Sequence, residues 1–171
     1  MPFHVALDAR HLRDFGIGTY IRNLVRALSA LDRENRYTIT AHPEDLKDLA
    51  GLPANFQVVT YRRGDSDWRD HTAFPMFLGR LQADVYHMPL NRVPYWMPKP
   101  YVVTIHDMSV LLFERAPGWR QSLRLYLFRR GLLRADKVIA VSEATRRAVE
   151  HFLNIPASRI RRIYNAPDPR F

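Results

Sequence analysis

Val102-Val103-Thr104-Ile105-His106-Asp107 sets a histidine and a carboxylate directly after an apolar, β-branched run. Histidine titrates near neutral pH, and an adjacent carboxylate can orient a hydroxyl or a proton. The pair therefore suits acid–base work or the clamping of a hydroxylated ligand. Two further apolar runs end in polar groups: Val85-Tyr86 in His87, and Val138-Ile139-Ala140-Val141 in Ser142-Glu143. If these runs are parallel strands, their ends share one functional edge, because ligands of open α/β sheets bind outside the carboxyl ends. His87 reads equally well as a core histidine held by backbone.

Gly16-Ile17-Gly18 lies between a predicted strand and a predicted helix. Unshielded amides at a helix start can approach a phosphate or a sugar closely. A turn that needs positive φ is the competing reading, and both stay open on the residues alone. The dinucleotide fingerprint fails, since Ile21 stands where its third glycine belongs. No Gly-x-Ser-x-Gly elbow marks a serine hydrolase. The seven histidines never pair at i, i+4, and there are no cysteines, so no metal site and no cofactor is expected. The lack of cysteine also excludes disulfides and is compatible with a reducing, cytoplasmic setting.

The elements that must position these groups follow from periodicity. Strands are predicted at 3–7, 37–41, 56–61, 85–87, 101–105, 137–141 and 159–164. Helices are predicted at 19–31, 43–51, 72–81, 119–134 and 143–153. Ile21, Leu24, Val25, Leu28 and Leu31 form the buried face of the first helix. Ser142 caps the last, with Ala148, Val149 and Phe152 facing inward. Residues 62–69 read as a mobile loop. Four prolines between Met88 and Pro100 forbid a helix or a central strand there, leaving a long stiff loop. Strands alternating with helices predict an α/β fold with a mainly parallel sheet and helices on both faces, the strand at 3–7 near the centre.

The chain has 171 residues, 47% of them hydrophobic and 25% charged, which suits one globular domain. No apolar run approaches the ~20 residues of a membrane span. The net charge of +9 favours anionic partners. No nucleic-acid reader motif is present and the arginines are dispersed, so nucleic acid is not the expected partner. The densest basic segment is Trp119 to Arg134, with Arg120, Arg124, Arg129, Arg130 and Arg134 among large apolar residues and no acidic one. It reads as a helix packed on the sheet whose arginine flank can contact an anionic membrane, in line with a place at the inner face of the cytoplasmic membrane.

Five segments together resemble the N-terminal domain of retaining GT-B glycosyltransferases of the glycogen-synthase-like and mannosyltransferase group. They are Asp8-Ala9-Arg10 with Gly16 through Leu24; Ala83 through Pro89; Val103 through Met108; Ala135 through Arg146; and Ile163 through Asp168. The resemblance implies a Rossmann-like domain over 1–164 and the start of an interdomain linker at 165–171. It implies a chain that mainly holds the acceptor, a sugar or lipid-linked acceptor, while a nucleotide-sugar donor sits in the cleft against a separate C-terminal half. Gly16 and Gly18 would face the donor, His106 would contact the transferred sugar, and Asp107, Ser142 and Thr145 would lie on the acceptor side. Ala166 departs from the glycine more usual after Asn165. The domain alone would be inactive, since the cations that stabilise the leaving diphosphate belong to the other half. A non-catalytic binding module using the same cleft is the alternative, and an unrelated small nucleotide-binding domain is a third.

Overall fold

The computed structural model describes residues 1–63, 69–109 and 118–166, excluding the side chains of Gln121 and Arg124. Seven strands form one parallel sheet: β1 (His4–Asp8), β2 (Arg36–Ala41), β3 (Phe56–Thr60), β4 (Val85–Met88), β5 (Tyr101–Ile105), β6 (Lys137–Ala140) and β7 (Ile160–Arg162). Their spatial order is β3-β2-β1-β4-β5-β6-β7. The chain winds outward from β1 to β3, returns to β4 and winds the other way to β7. The reversal lies between β1 and β4, which makes their carboxyl ends the topological switch point. The strand expected near the centre is β1, adjacent to the central β4.

Successive strand residues point to opposite faces. Leu7 and Ile39 point to one face, where α1 (Phe15–Leu31) adds Ile21 and Val25. Ala6, Tyr86, Val103 and Val138 point to the other face. There α2 (Asp70–Gly79) contributes Phe74 and Leu78, and α3 (Trp119–Leu133) contributes Leu132. The last helix, α4 (Glu143–Leu153), adds Val149 and Leu153 to the same side. Cover on both faces explains the near-continuous apolar strands.

Four sequence expectations shift. The first helix starts at Phe15 rather than residue 19, so Gly16 and Gly18 lie inside its first turn. Gly18 donates its amide to the Asp14 carbonyl at 2.6 Å, and any Cβ on it would collide with the Leu12 carbonyl. Close approach, not positive φ, demands that glycine. Leu31, placed on the buried face by periodicity, is 84% exposed. A helix of 17 residues is about 25 Å long while five-residue strands span about 17 Å, so its last turn overruns the sheet. Phe152 is exposed and Leu153 buried, because Thr145, Val149 and Leu153 hold the i, i+4 positions that meet the sheet. The segment Pro43–Leu49 is a 3-10 helix, shorter than expected. Of the loop at 62–69, residues 64–68 lie outside the described residues, as do 167–171 of the expected linker.

The proline-rich connection between β4 and β5 is irregular, as expected, yet well anchored. Leu90, Val93 and Met97 are buried, and Gly131 of α3 lies so close to the Val93 and Pro94 carbonyls that a Cβ would not fit. The Tyr101 hydroxyl, at the start of β5, donates to the Gly131 carbonyl at 2.5 Å.

Candidate functional site

Three loops meet at the switch point. They contribute His11 and Asp14 after β1, Leu90, Asn91 and Arg92 after β4, and His106 and Asp107 after β5, and with Ile17 of α1 they surround a cleft of about 130 Å³. A second cleft of about 260 Å³ shares His11 and Asp14 and extends toward β2, where His42, Glu44 and Asp45 line it. His11 and Asp14 form an ion-pair-distance contact of 2.7 Å between Nδ1 and a carboxylate oxygen. Asn91 ties two loops together by donating to the Asp107 carbonyl at 3.2 Å.

His106 is half-buried, and its Nε2 lies 3.0 Å from the Pro89 carbonyl. A carbonyl only accepts, so Nε2 carries the proton and Nδ1 of the neutral ring is left as a hydrogen-bond acceptor. Burial pushes its pKa below the ordinary value, against the opposing pull of the Pro89 carbonyl and the Asp107 carboxylate. The ring is therefore predominantly neutral at pH 7. Tyr20 of α1 packs edge-on to it, with centroids 4.7 Å apart. The Tyr20 hydroxyl lies 3.3 Å from the Thr104 hydroxyl, and His87 Nε2 lies 2.8 Å from the same oxygen. Burial, then the neighbouring His106, lower the His87 pKa to about 4. His87 is thus a neutral ring bonded to a side chain on the α1 face of the sheet.

Beneath the cleft lies a buried charge network that periodicity did not reveal. Arg10 donates through Nε and Nη2 to the two oxygens of Asp8 at 2.9 and 3.0 Å, and through Nη1 to Asp70 at 2.7 Å. Its guanidinium lies 3.4 Å from the Phe74 ring centroid, and the Tyr61 hydroxyl donates to Asp70 at 2.5 Å. Burial raises the Asp8 pKa, but Arg10 outweighs it and holds the carboxyl below the usual range. This network anchors the loop that carries His11 and Asp14.

The residues singled out from sequence fall into three groups. His106 and Asp107 line the cleft, and Gly16 sits between two of its lining residues, Asp14 and Ile17, in open space and exposed. Gly18 is buried against Leu12. Ser142 and Thr145 line neither cleft. Ser142 Oγ accepts the Thr145 amide at 3.0 Å, capping α4, and the Thr145 hydroxyl donates to the His106 carbonyl at 3.1 Å. Arg120, Arg129, Arg130 and Arg134 are exposed on and just after α3 and line neither cleft; the Arg124 side chain lies outside the described residues. Sequence reasoning missed His11, Asp14, Asn91 and Arg92. The available signal was polar residues in loops directly after two strands. Among the described residues no group of three or more His, Cys, Asp or Glu side chains is placed to hold a metal ion.

A doubly wound parallel sheet with its cleft at the switch point defines a Rossmann-like α/β domain, here one half of a GT-B fold. Residues 16–171 match Glycosyltransferase Family 4, and the chain belongs to that family. Solved structures agree on the fold. A glycosyltransferase from Rickettsia africae superposes with a TM-score of 0.62 at 16% identity, covering 96% of this chain and 43% of that one. Anabaena HepE, in complex with UDP and glucose, gives 0.59 at 14% identity, covering 96% and 45%. The lipopolysaccharide outer core galactosyltransferase WaaB gives 0.54 at 11% identity, covering 95% and 45%. The chain thus spans under half the length of these structures. No curated protein sequence matches it.

Proposed function

We propose that this chain is the acceptor-side half of a retaining glycosyltransferase that moves a sugar from a nucleotide sugar to a hydroxyl, and that it turns over only with a donor-binding half. The observation that carries this reading is the meeting of His106 with the first turn of α1 in one cleft at the switch point. The amides that precede that of Gly18 at the helix start lack intrahelical partners and favour negative charge. The exposed Gly16 gives the donor diphosphate an unshielded approach to them. Gly18 serves this turn indirectly, by letting it close against Leu12.

Neutral His106 contacts the transferred sugar by accepting a hydroxyl at Nδ1. Asp107 orients the acceptor hydroxyl at the cleft mouth. Ser142 and Thr145 act on the acceptor side through the backbone they hold, not by direct contact. The leaving diphosphate needs fixed cations around its developing charge. The relatives' additional length supports a second half as their source.

The test pairs this chain with a donor-binding half supplied in trans. UDP-glucose is the first donor to try, given the ligands of HepE. The expected result is no sugar transfer by the chain alone, transfer when the halves are combined, and a kcat lowered more than about tenfold by His106→Ala, at least ~1.4 kcal/mol of transition-state stabilisation. Turnover by the chain alone would overturn the dependence on a second half. Saccharide binding in the cleft without transfer in any combination would assign a binding module instead.

A further inference from the structure

His87 and Thr104 interrupt the apolar runs of β4 and β5, and Thr104 is fully buried. A polar group buried in a sheet is costly without a hydrogen-bond partner, and a valine at 104 would carry no such cost. The two residues satisfy each other, with His87 Nε2 2.8 Å from the Thr104 hydroxyl. A third member comes from another element. Tyr20 shares a stripe of α1 with Ile17 and Leu24, at spacings of three and four residues. Ile17 lines the cleft, and Tyr20 stands about one turn behind it. α1 packs on β1 and β2, so the phenol must cross β4 to bring its hydroxyl within 3.3 Å of Thr104 on β5. Along that path its ring meets His106, with centroids 4.7 Å apart and planes at 79°. The Pro89 carbonyl fixes one atom of the His106 ring but not its plane, because histidine χ2 is a broad torsion. A second contact is needed to fix the plane, and edge-on aromatic packing has the required directionality.

We propose that Tyr20 is a positioning residue for His106: its ring fixes the imidazole plane, and the Thr104–His87 pair fixes Tyr20. The fixed plane keeps Nε2 on the Pro89 carbonyl and leaves Nδ1 as the acceptor. Tyr20 lines neither cleft, and its hydroxyl is taken up by Thr104, so it acts through His106 and not on a ligand. Its length and its two ends explain the residue type. Leucine would offer no ring to His106, and phenylalanine would reach His106 without an anchor on β5. That Nδ1 meets a sugar rests on the functional reading above; the restraint on the ring does not. Under that reading, the helix whose start receives the donor diphosphate also sets the histidine that contacts the transferred sugar, so both groups are placed by one rigid element.

The test has two arms. The first records long-range proton–nitrogen spectra of the imidazoles in the 171-residue chain by itself. The parent should show His106 as one tautomer, protonated on Nε2. Tyr20→Leu should convert it to a mixture of tautomers, while Tyr20→Phe, which keeps the ring, should stay closer to the parent. Thr104→Val should loosen the ring in the same direction, and Thr104→Ser, which keeps the hydroxyl, should restore the single tautomer. The second arm measures turnover of UDP-glucose with the donor-binding half supplied in trans. Tyr20→Leu should lower kcat about tenfold and leave KM within about twofold. Added to His106→Ala, it should change kcat by less than about twofold, because it acts through that ring. Melting temperatures identify lost folding, and if Tyr20→Leu does not fold, the bulkier Tyr20→Met takes its place. An unchanged His106 spectrum in a folded Tyr20→Leu chain would overturn the proposal. So would a loss of kcat that adds in full to that of His106→Ala, which would give Tyr20 a role of its own. Absence of transfer by the parent combination would count against the functional reading alone, since the spectra need no donor half and still decide the role of Tyr20.

Discussion

Arg10→Met removes the one cation between Asp8 and Asp70 while keeping most of the side-chain volume over Phe74. All three charged residues are buried, at 5%, 1% and 3% exposure. The substitution deletes the two bonds to Asp8 and the 2.7 Å bond to Asp70. Removing one partner of a buried ion pair costs about 3–5 kcal/mol, because an uncompensated charge stays behind. Loss of the stacked guanidinium on Phe74 adds about 1 kcal/mol. The expected loss at neutral pH is therefore about 4–6 kcal/mol, a large share of the about 5–15 kcal/mol that a domain usually has. The loss also has a pH signature. In the parent chain Asp8 titrates below its unfolded value, so its contribution is present above that value and is lost as pH falls through the folded pKa. In the variant the burial that raises the Asp8 pKa loses its main opposition, and only the residue-10 amide and His11 still lower it. The variant then gains stability relative to the parent as pH falls from neutral toward the ordinary carboxyl value of 3.8, and the difference narrows. Titration of His87 occurs in both proteins and cancels. Urea unfolding followed by far-ultraviolet circular dichroism at several pH values measures this, with Asp8→Asn and Asp70→Asn added to Arg10→Met as the rescue. A destabilisation below about 1 kcal/mol, or one independent of pH, would refute the reasoning.

Gly18→Ala and Gly16→Ala should move stability in opposite directions. The first forces a methyl group onto the Leu12 carbonyl and costs about 1–3 kcal/mol, while the second fills open space in a helix and adds about 0.5 kcal/mol, both read by thermal melting. His87, with a pKa lowered to about 4 from 6.5, stabilises the fold fully above 6.5. That contribution is lost as pH falls between those values, at up to about 1.4 kcal/mol per pH unit, and His87→Gln should flatten this limb in urea titrations. Ser142→Ala should cost about 1 kcal/mol through the lost cap on α4. Thr145→Val should cost about 1 kcal/mol and shift the His106 ring resonances by nuclear magnetic resonance, since it frees the His106 carbonyl.

Strand and helix order was legible because both sheet faces are covered, which leaves nearly continuous apolar runs such as Val102–Ile105 beside helices with a 3.6-residue period. His106 and Asp107 were legible for a related reason: a polar pair after a buried strand marks a carboxyl end, and the parallel topology gathers such ends. Packing between elements decided the rest. Gly18 and Gly131 are glycines because neighbouring carbonyls leave no space for a Cβ, a distance that no local pattern encodes. Arg10 meets Asp70 across 60 residues only when α2 lies against the carboxyl end of β1. The outward stripe of α3 belongs to the same class. Its apolar residues occupy nearly the whole helix circumference, so periodicity could not say which of them meet the sheet. Only the burial of Leu132 in the core and of Phe128 against His71 of α2 turns Trp119, Leu123 and Tyr126 toward solvent.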